Sequence, residues 1–185
     1  MSEVEGPMPN ITPEMIRTTF RVLEAEGMIF YSGGHAYVPT ETGWKPLMKI
    51  APIREKIRGF GDERIVATDK DSLCILKGND IKKCTIAVRS NKSCIELGDE
   101  FRNAVKEGRC LIITITCDGV SDRVVACGSP KLSMKSEREI EIRKDEEINE
   151  GTIAILADKS ASELKKDLIE SIKKGSEVSI TIDVI

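Results

Sequence analysis

The chain has 185 residues, enough for one domain or one domain with a small appendage, and its 40% hydrophobic and 32% charged residues describe a folded polypeptide. A formal net charge of −3 argues against a large nucleic-acid footprint, which would show as a basic surplus. No apolar run approaches the roughly 20 residues that span a bilayer, and no secretory signal precedes the first polar residues, so the expectation is a cytoplasmic protein without membrane contact. Six cysteines, at 74, 84, 94, 110, 117 and 127, form no CxxC, and His35 is the only histidine. That usage predicts neither a disulfide framework nor a local zinc-ligand pair.

In chain order, Thr12 is a helix N-cap with Pro13 at the first helical position. Ile16, Phe20 and Leu23 form an apolar stripe, and Gly27 stops the helix. Residues 28–31 and 36–39 can pair as a hairpin about SGGH, and TETG then reads as the start of a further helix that returns Trp44 and Leu47 to a core. In this order the parts resemble the second half of a winged helix-turn-helix. The resemblance implies a helix that enters the major groove, with Arg17, Thr18 and Arg21 as contacts and His35 at the tip of the wing. Against DNA binding, residues 1–11 do not supply the two preceding helices, and residues 1–50 hold four Lys or Arg against six Asp or Glu. The alternative partner is a protein, or a second copy of the chain in a homodimer. A start upstream of Met1 would restore the missing helices.

From residue 54 onward the sequence repeats itself. TIAVRSNKSCIEL begins at Thr85 and TIAILADKSASEL at Thr152, an offset of 67. At the same offset, REKIRGFG from Arg54 lies against SDRVVACG from Ser121, and LIITIT from Leu111 lies against VSITID from Val178. Two small copies of one unit are expected to share a core about a pseudo-twofold axis. The first copy predicts strands at 56–59, 64–68, 72–76 and 84–88, a helix over 93–107 and a final strand over 110–117. Leu111, Ile113, Ile115 and Cys117 alternate on one face of that strand, as do Val178, Ile180, Ile182 and Val184 in the second copy. Cys94, Leu97, Phe101 and Val105 form the buried stripe of the helix, matched by Ala161, Leu164, Leu168 and Ile172, and Gly108 and Gly175 end the two helices.

The repeated phrase is mostly strand, turn and cap. SCIE and SASE fit the S-x-x-E capping box, with Ser93 and Ser160 as caps and Glu96 and Glu163 reaching back. Lys92 and Lys159 stand just before those caps, where an apolar residue is the usual stabiliser. Beside helix N-terminal amides they suggest an anion-binding site formed by Lys92, Ser93, Lys159 and Ser160, weighed against plain solvated lysines. The alignment places Cys94 and Cys117 in the core. It places Cys74 and Cys110 opposite Glu141 and Glu177, hence facing outward, where the two could meet as a metal or redox pair if their strands are neighbours, a reading that yields to ordinary half-exposed thiols.

RIVATDKDSLCI, TIAVRSNKS, GSPKLSMKSEREIEIRKD and TIAILADKS together resemble an archaeal domain-of-unknown-function family, number 371, over about residues 55–185. The resemblance implies a β-rich, internally symmetric cytoplasmic domain and no assigned activity. It also implies a Gly-His pair followed by a second histidine, where this chain carries Asp62 and Asp69 in the first half and Ser129 and Ser136 in the second. Asp62 and Asp69 are therefore the candidates for a hard cation, weighed against ordinary turn residues.

The predicted fold class is α+β and β-rich. Two pseudosymmetric repeats, about 54–118 and 121–185, pack as a sandwich-like domain over 54–185, with a partial winged-helix segment in 1–50. The expected function is regulatory or small-anion binding, with residues 1–50 docking DNA or a protein. One alternative is an enzyme acting on a small substrate between the repeats, metal-assisted through Asp62 and Asp69. Another is a structural partner-binding protein. No catalytic residue and no cofactor is indicated.

Overall fold

A computed structural model describes residues 53–185 throughout and, before them, the backbone of three strands. These are β1 (Phe30–Ser32), β2 (His35–Thr40) and β3 (Gly43–Met48), antiparallel in that order. Ser32 stands opposite His35, so the hairpin expected about SGGH is present. The helix expected from TETG is not: Gly43 begins a strand whose Pro46 stands opposite Tyr37. Proline lacks the amide that a helix interior needs and is tolerated on an edge strand, which β3 is. The helix expected over 12–27, with Arg17, Thr18 and Arg21, lies outside the described residues.

The rest is β-rich and α+β, with two four-stranded sheets and two helices. The first sheet contains β4 (Ile53–Phe60), β7 (Cys110–Cys117), β8 (Val120–Cys127) and β11 (Glu177–Val184), all antiparallel in the order β4-β11-β7-β8. The second contains β5 (Ser72–Leu76), β6 (Thr85–Ala87), β9 (Glu139–Arg143) and β10 (Thr152–Ala154) in the order β10-β9-β5-β6. Its central pair is antiparallel and its outer pairs are parallel. Helices α1 (Asp99–Lys106) and α2 (Lys166–Lys173) each end in a glycine of positive φ, Gly108 at +79° and Gly175 at +83°, where glycine avoids the Cβ clash. A two-residue turn at Asp118-Gly119, with φ of +49° and +80°, joins β7 to β8; positive φ at both positions matches the right-handed twist of a hairpin.

Adding 67 to the bounds of β4, β5, β6, α1 and β7 gives the bounds of β8, β9, β10, α2 and β11. The two central strand pairs are centred on residues that are themselves 67 apart, Thr114 opposite Thr181 and Cys74 opposite Glu141. One apolar core unites both sheets and both helices, from Ile57 and Leu73 through Phe101 and Ile113 to Leu168 and Ile180. All eight residues of the two expected helix stripes lie within it. One residue on each edge strand of the first sheet is paired by a loop residue. Asn91 accepts from the Arg58 amide at 2.8 Å and its own amide donates to the Arg58 carbonyl, and Asp158 repeats both bonds on Val125. Strand-like pairing by one residue blunts an edge that would otherwise recruit another strand.

Several expectations are corrected. Residues 64–68 form no strand: Glu63 and Arg64 lie in a turn closed by the Ile65 amide on the Asp62 carbonyl, and the irregular stretch after it has Ala67 at φ +47°, outside the β region. The helix expected over 93–107 is a 3₁₀ turn at Cys94–Glu96 and then α1, with Leu97 and Gly98 extended between them. At the break a carboxylate from β4, Glu55, takes the Gly98 amide at 2.7 Å, in place of the carbonyl a continuous helix would offer it. Cys74 pairs not with Cys110 but with Cys84, in a disulfide. The two lie on adjacent segments, the Cys74 amide donating to the Cys84 carbonyl, with their Cα atoms 5.1 Å apart, well within disulfide reach. Nor do Cys74 and Cys110 face outward: they are 2% and 4% exposed, and Cys110 stands opposite Cys127 in the first sheet.

Candidate functional site

Three places claim a functional reading, and the side chains settle what each can do. At the repeated turns the capping boxes form as expected: Ser93 and Ser160 are fully buried, and their amides and hydroxyls donate to Glu96 and Glu163. Lys92 Nζ lies 2.5 Å from Glu55 Oε2, and Lys159 Nζ lies 2.5 Å from Asp122 Oδ1. Glu55 and Asp122 also accept the Gly98 and Lys165 amides that open α1 and α2. Both lysines of the expected anion site thus meet carboxylates of the protein itself. For Asp122, burial pushes the carboxyl up, but Lys159 and the amides of Lys165 and Arg123 outweigh it and hold the group below its ordinary value.

Asp69, Ser129 and Ser136, three of the four residues singled out where the resemblance implies histidines, accept hydrogen bonds from nearby backbone amides. Asp69 Oδ1 accepts from the amides of Asp71 and Ser72, each at 2.8 Å, and Ser136 Oγ accepts from those of Arg138 and Glu139 at 3.2 Å. Ser129 Oγ accepts more weakly from the Lys131 amide at 3.3 Å. Among the described residues no group of three or more His, Cys, Asp or Glu side chains is placed to hold a metal ion.

Asp62 stands apart, because it lines an open cleft of about 320 Å³. Three segments build it. After β4 the chain turns at Gly61, where a Cβ would lie 1.7 Å from the Ile172 carbonyl oxygen, so only glycine lets the turn close on α2. That turn presents Asp62, Glu63 and Arg64. After β6 the chain presents Arg89, held at φ +51° with its guanidinium carbon 5.1 Å from the centre of the Phe60 ring, a cation–π contact. The end of α2 adds Lys173, the two residues after it add Lys174 and Gly175, and the Gly61 amide ties the turn to this segment through the Ser176 carbonyl at 2.8 Å.

The electrostatics of the cleft are one-sided. Arg64, Arg89, Lys173 and Lys174 line it against Asp62 and Glu63. Arg64 donates Nε and Nη2 to the two oxygens of Asp62 at 2.8 and 2.9 Å, and its amide also donates to Oδ1. These bonds hold the Asp62 carboxyl at about 2, down from 3.8. Lys173 reaches Glu170 at 3.2 Å. Among the described residues, no carboxylate lies within ion-pair distance of Arg89 or Lys174. An arrangement of this kind can hold an anion; it offers no nucleophile with a base beside it.

The sequence points to Asp62 but not to Arg89, Lys173 or Lys174. A signal for Arg89 exists in the repeated phrase, where TIAVR becomes TIAIL: the copies agree in strand and cap yet exchange Arg89 for Leu156. The lysines carry no such mark, since basic residues at a helix C-terminus are ordinary dipole partners.

The family model for a domain of unknown function, DUF371, matches residues 57–185, and the chain belongs to that family, as its motifs predict. An uncharacterized protein of Methanocaldococcus jannaschii is 27% identical over 131 residues, which cover 69% of this chain and 97% of the relative. No helix among the described residues is long and apolar enough to cross a membrane.

Proposed function

We propose that this protein binds a small anion, and that the seat is the cleft between the turn after β4 and the end of α2. The observation that carries the reading is the convergence of Arg64, Arg89, Lys173 and Lys174 on one open cleft, with Arg89 and Lys174 lacking a carboxylate partner among the described residues. Arg64 and Lys173 already meet Asp62 and Glu170, but Arg89 and Lys174 are like charges without such partners, and a ligand of opposite sign relieves their repulsion. The repeated turns serve the scaffold in this reading, because Lys92 and Lys159 already meet Glu55 and Asp122. The 67-residue offset of the elements supports an internal duplication whose two units share one core.

Calorimetric titration of the full chain with inorganic phosphate and pyrophosphate tests the proposal. Binding is expected, weakened by at least about tenfold when Arg89→Gln and Lys174→Gln are combined, since each removes a charge-assisted contact. Absence of binding, or binding indifferent to that double variant, contradicts the reading.

A further inference from the structure

We infer that the cleft takes a doubly charged oxyanion, a phosphate group, once per chain, and that Asp62 occupies the anion's place on Arg64 until it is displaced. The inference rests on the anion-binding reading and adds ligand charge, stoichiometry and an internal competitor to it.

The charge follows from the lining. Of the four basic side chains, Arg64 meets Asp62 and Lys173 meets Glu170, which leaves a surplus of two cations, Arg89 and Lys174, without an ion-pair partner among the described residues. A singly charged ion leaves half of that surplus unmatched, whereas a phosphate dianion matches it. The geometry follows from Arg64, whose Nε and Nη2 already form a two-pronged grip on the two Asp62 oxygens. Phosphate presents two oxygens to a guanidinium in the same parallel fashion. Asp62 therefore imitates the ligand. Its hold is easily exchanged, because the Arg64 side chain is 61% exposed and exposed ion pairs are weak. Asp62 is also a turn residue: its Oδ1 takes the Arg64 amide at 3.0 Å, a bond that asparagine can keep while giving up the charge.

The single seat follows from what stands 67 positions away. In place of Asp62, Glu63, Arg64 and Arg89 the second half has Ser129, Pro130, Lys131 and Leu156, and in place of Lys173 and Lys174 the first half has Lys106 and Glu107. That set keeps two cations, no arginine fork and an acid where Lys174 stands. Glu107 also carries Arg109 at 3.3 Å as a partner.

The test is titration of the full chain with inorganic phosphate at pH 8 and pH 6, with acetate as the singly charged control, for the native protein and for Asp62→Asn. One site per chain is expected, with acetate not competing and phosphate weaker at pH 6, where it carries less charge. Asp62 stays ionised at both pH values, its carboxyl being held at about 2, so the change reports the ligand. Asp62→Asn is expected to bind phosphate about threefold more tightly, the release of an exposed ion pair. Asp62→Ser, with the residue type of Ser129, is a second variant should the first fail to fold. Native binding that Asp62→Asn or Asp62→Ser leaves unchanged or weakens overturns the inference while the anion-binding reading stands. Two sites per chain, or equal affinity for acetate, overturns it as well. Failure of the native chain to bind any of the anions removes the reading beneath it.

Discussion

The corner after β4 and the corner after β8 are built alike and equipped differently. Each opens on a glycine pressed against a helix carbonyl, Gly61 on Ile172 and Gly128 on Val105. Each then buries an apolar residue, Ile65 or Leu132, and passes through a residue of positive φ, Ala67 at +47° or Met134 at +49°. Each faces a second positive-φ residue, Arg89 at +51° or Leu156 at +53°. Strained backbone is often taken as a mark of function. Here it recurs at matched positions in both corners, so it belongs to the scaffold. What differs is charge: Asp62, Glu63, Arg64 and Arg89 in one corner, Ser129, Pro130, Lys131 and Leu156 in the other. The lesson is that backbone geometry identifies the fold of these corners, and only the side chains that break the likeness identify a site.

The largest expected effect would test the likeness itself. Gly61→Ala and Gly128→Ala each force a Cβ to within 1.7 or 2.0 Å of a carbonyl oxygen, so backbone must move. Each is expected to cost about 3 kcal/mol or more, read as a lowered denaturation midpoint. Similar losses at the two sites support equivalent corners; a neutral outcome at either breaks the comparison.

Next come the paired carboxylates of the first sheet. Asp122→Ala removes the partner of Lys159 and of the Lys165 amide, and is expected to cost about 2 kcal/mol in urea denaturation. Lys159→Ala is expected to cost less, because the Asp122 carboxylate then keeps its backbone amides. Full native stability in both variants would show that these pairs do not hold the helices in place.

Acid should act on both turns together. Hydrogen bonds from Lys77 and from the Ser93 amide hold Glu96 at about 2, and Lys144 and the Ser160 amide hold Glu163 at about 2, each down from 4.5. A carboxyl whose folded value is depressed adds stability above its unfolded value and loses it as pH falls through the folded one. The melting temperature is therefore expected to fall progressively between pH 4.5 and about 2, and to fall less in the combined Glu96→Gln, Glu163→Gln variant. An equal pH slope in that variant would assign acid loss elsewhere.

The smallest effect concerns the thiols. Cys94 and Cys110, both buried and pushed up to about 12 chiefly by that burial, are expected to resist alkylation in the native chain. Cys117 and Cys127 are buried too. Rapid labelling at Cys110, Cys117 or Cys127 would mean that the first sheet opens, and at Cys94 that the turn before α1 does.

Much of this architecture could be read from the chain because it obeys local rules. Period-two alternation marks β7, whose bounds match the sequence reading, and β11, which contains the expected Val178, Ile180, Ile182 and Val184, and the capping boxes at Ser93 and Ser160 appear as spelled. What escaped depends on distant partners. At the break between Cys94–Glu96 and α1 the Gly98 amide is taken by Glu55, 43 residues away. The pairing of Cys74 with Cys84 follows from a parallel neighbour that no local spacing announces. Lys92 and Lys159 meet carboxylates from β4 and β8 that lie 37 residues away, and the cleft gathers residues from three segments that only the fold unites.

The central claim is that one corner binds an anion and its counterpart does not. Titrating inorganic phosphate into the isotopically labelled chain and following backbone amide signals tests it most directly. The account predicts saturable shifts at Gly61, Arg64, Arg89 and Gly175, with Gly128, Lys131, Leu156 and Gly108 unmoved. Equal shifts at both corners, or shifts confined to the Ser93 and Ser160 turns, would contradict it.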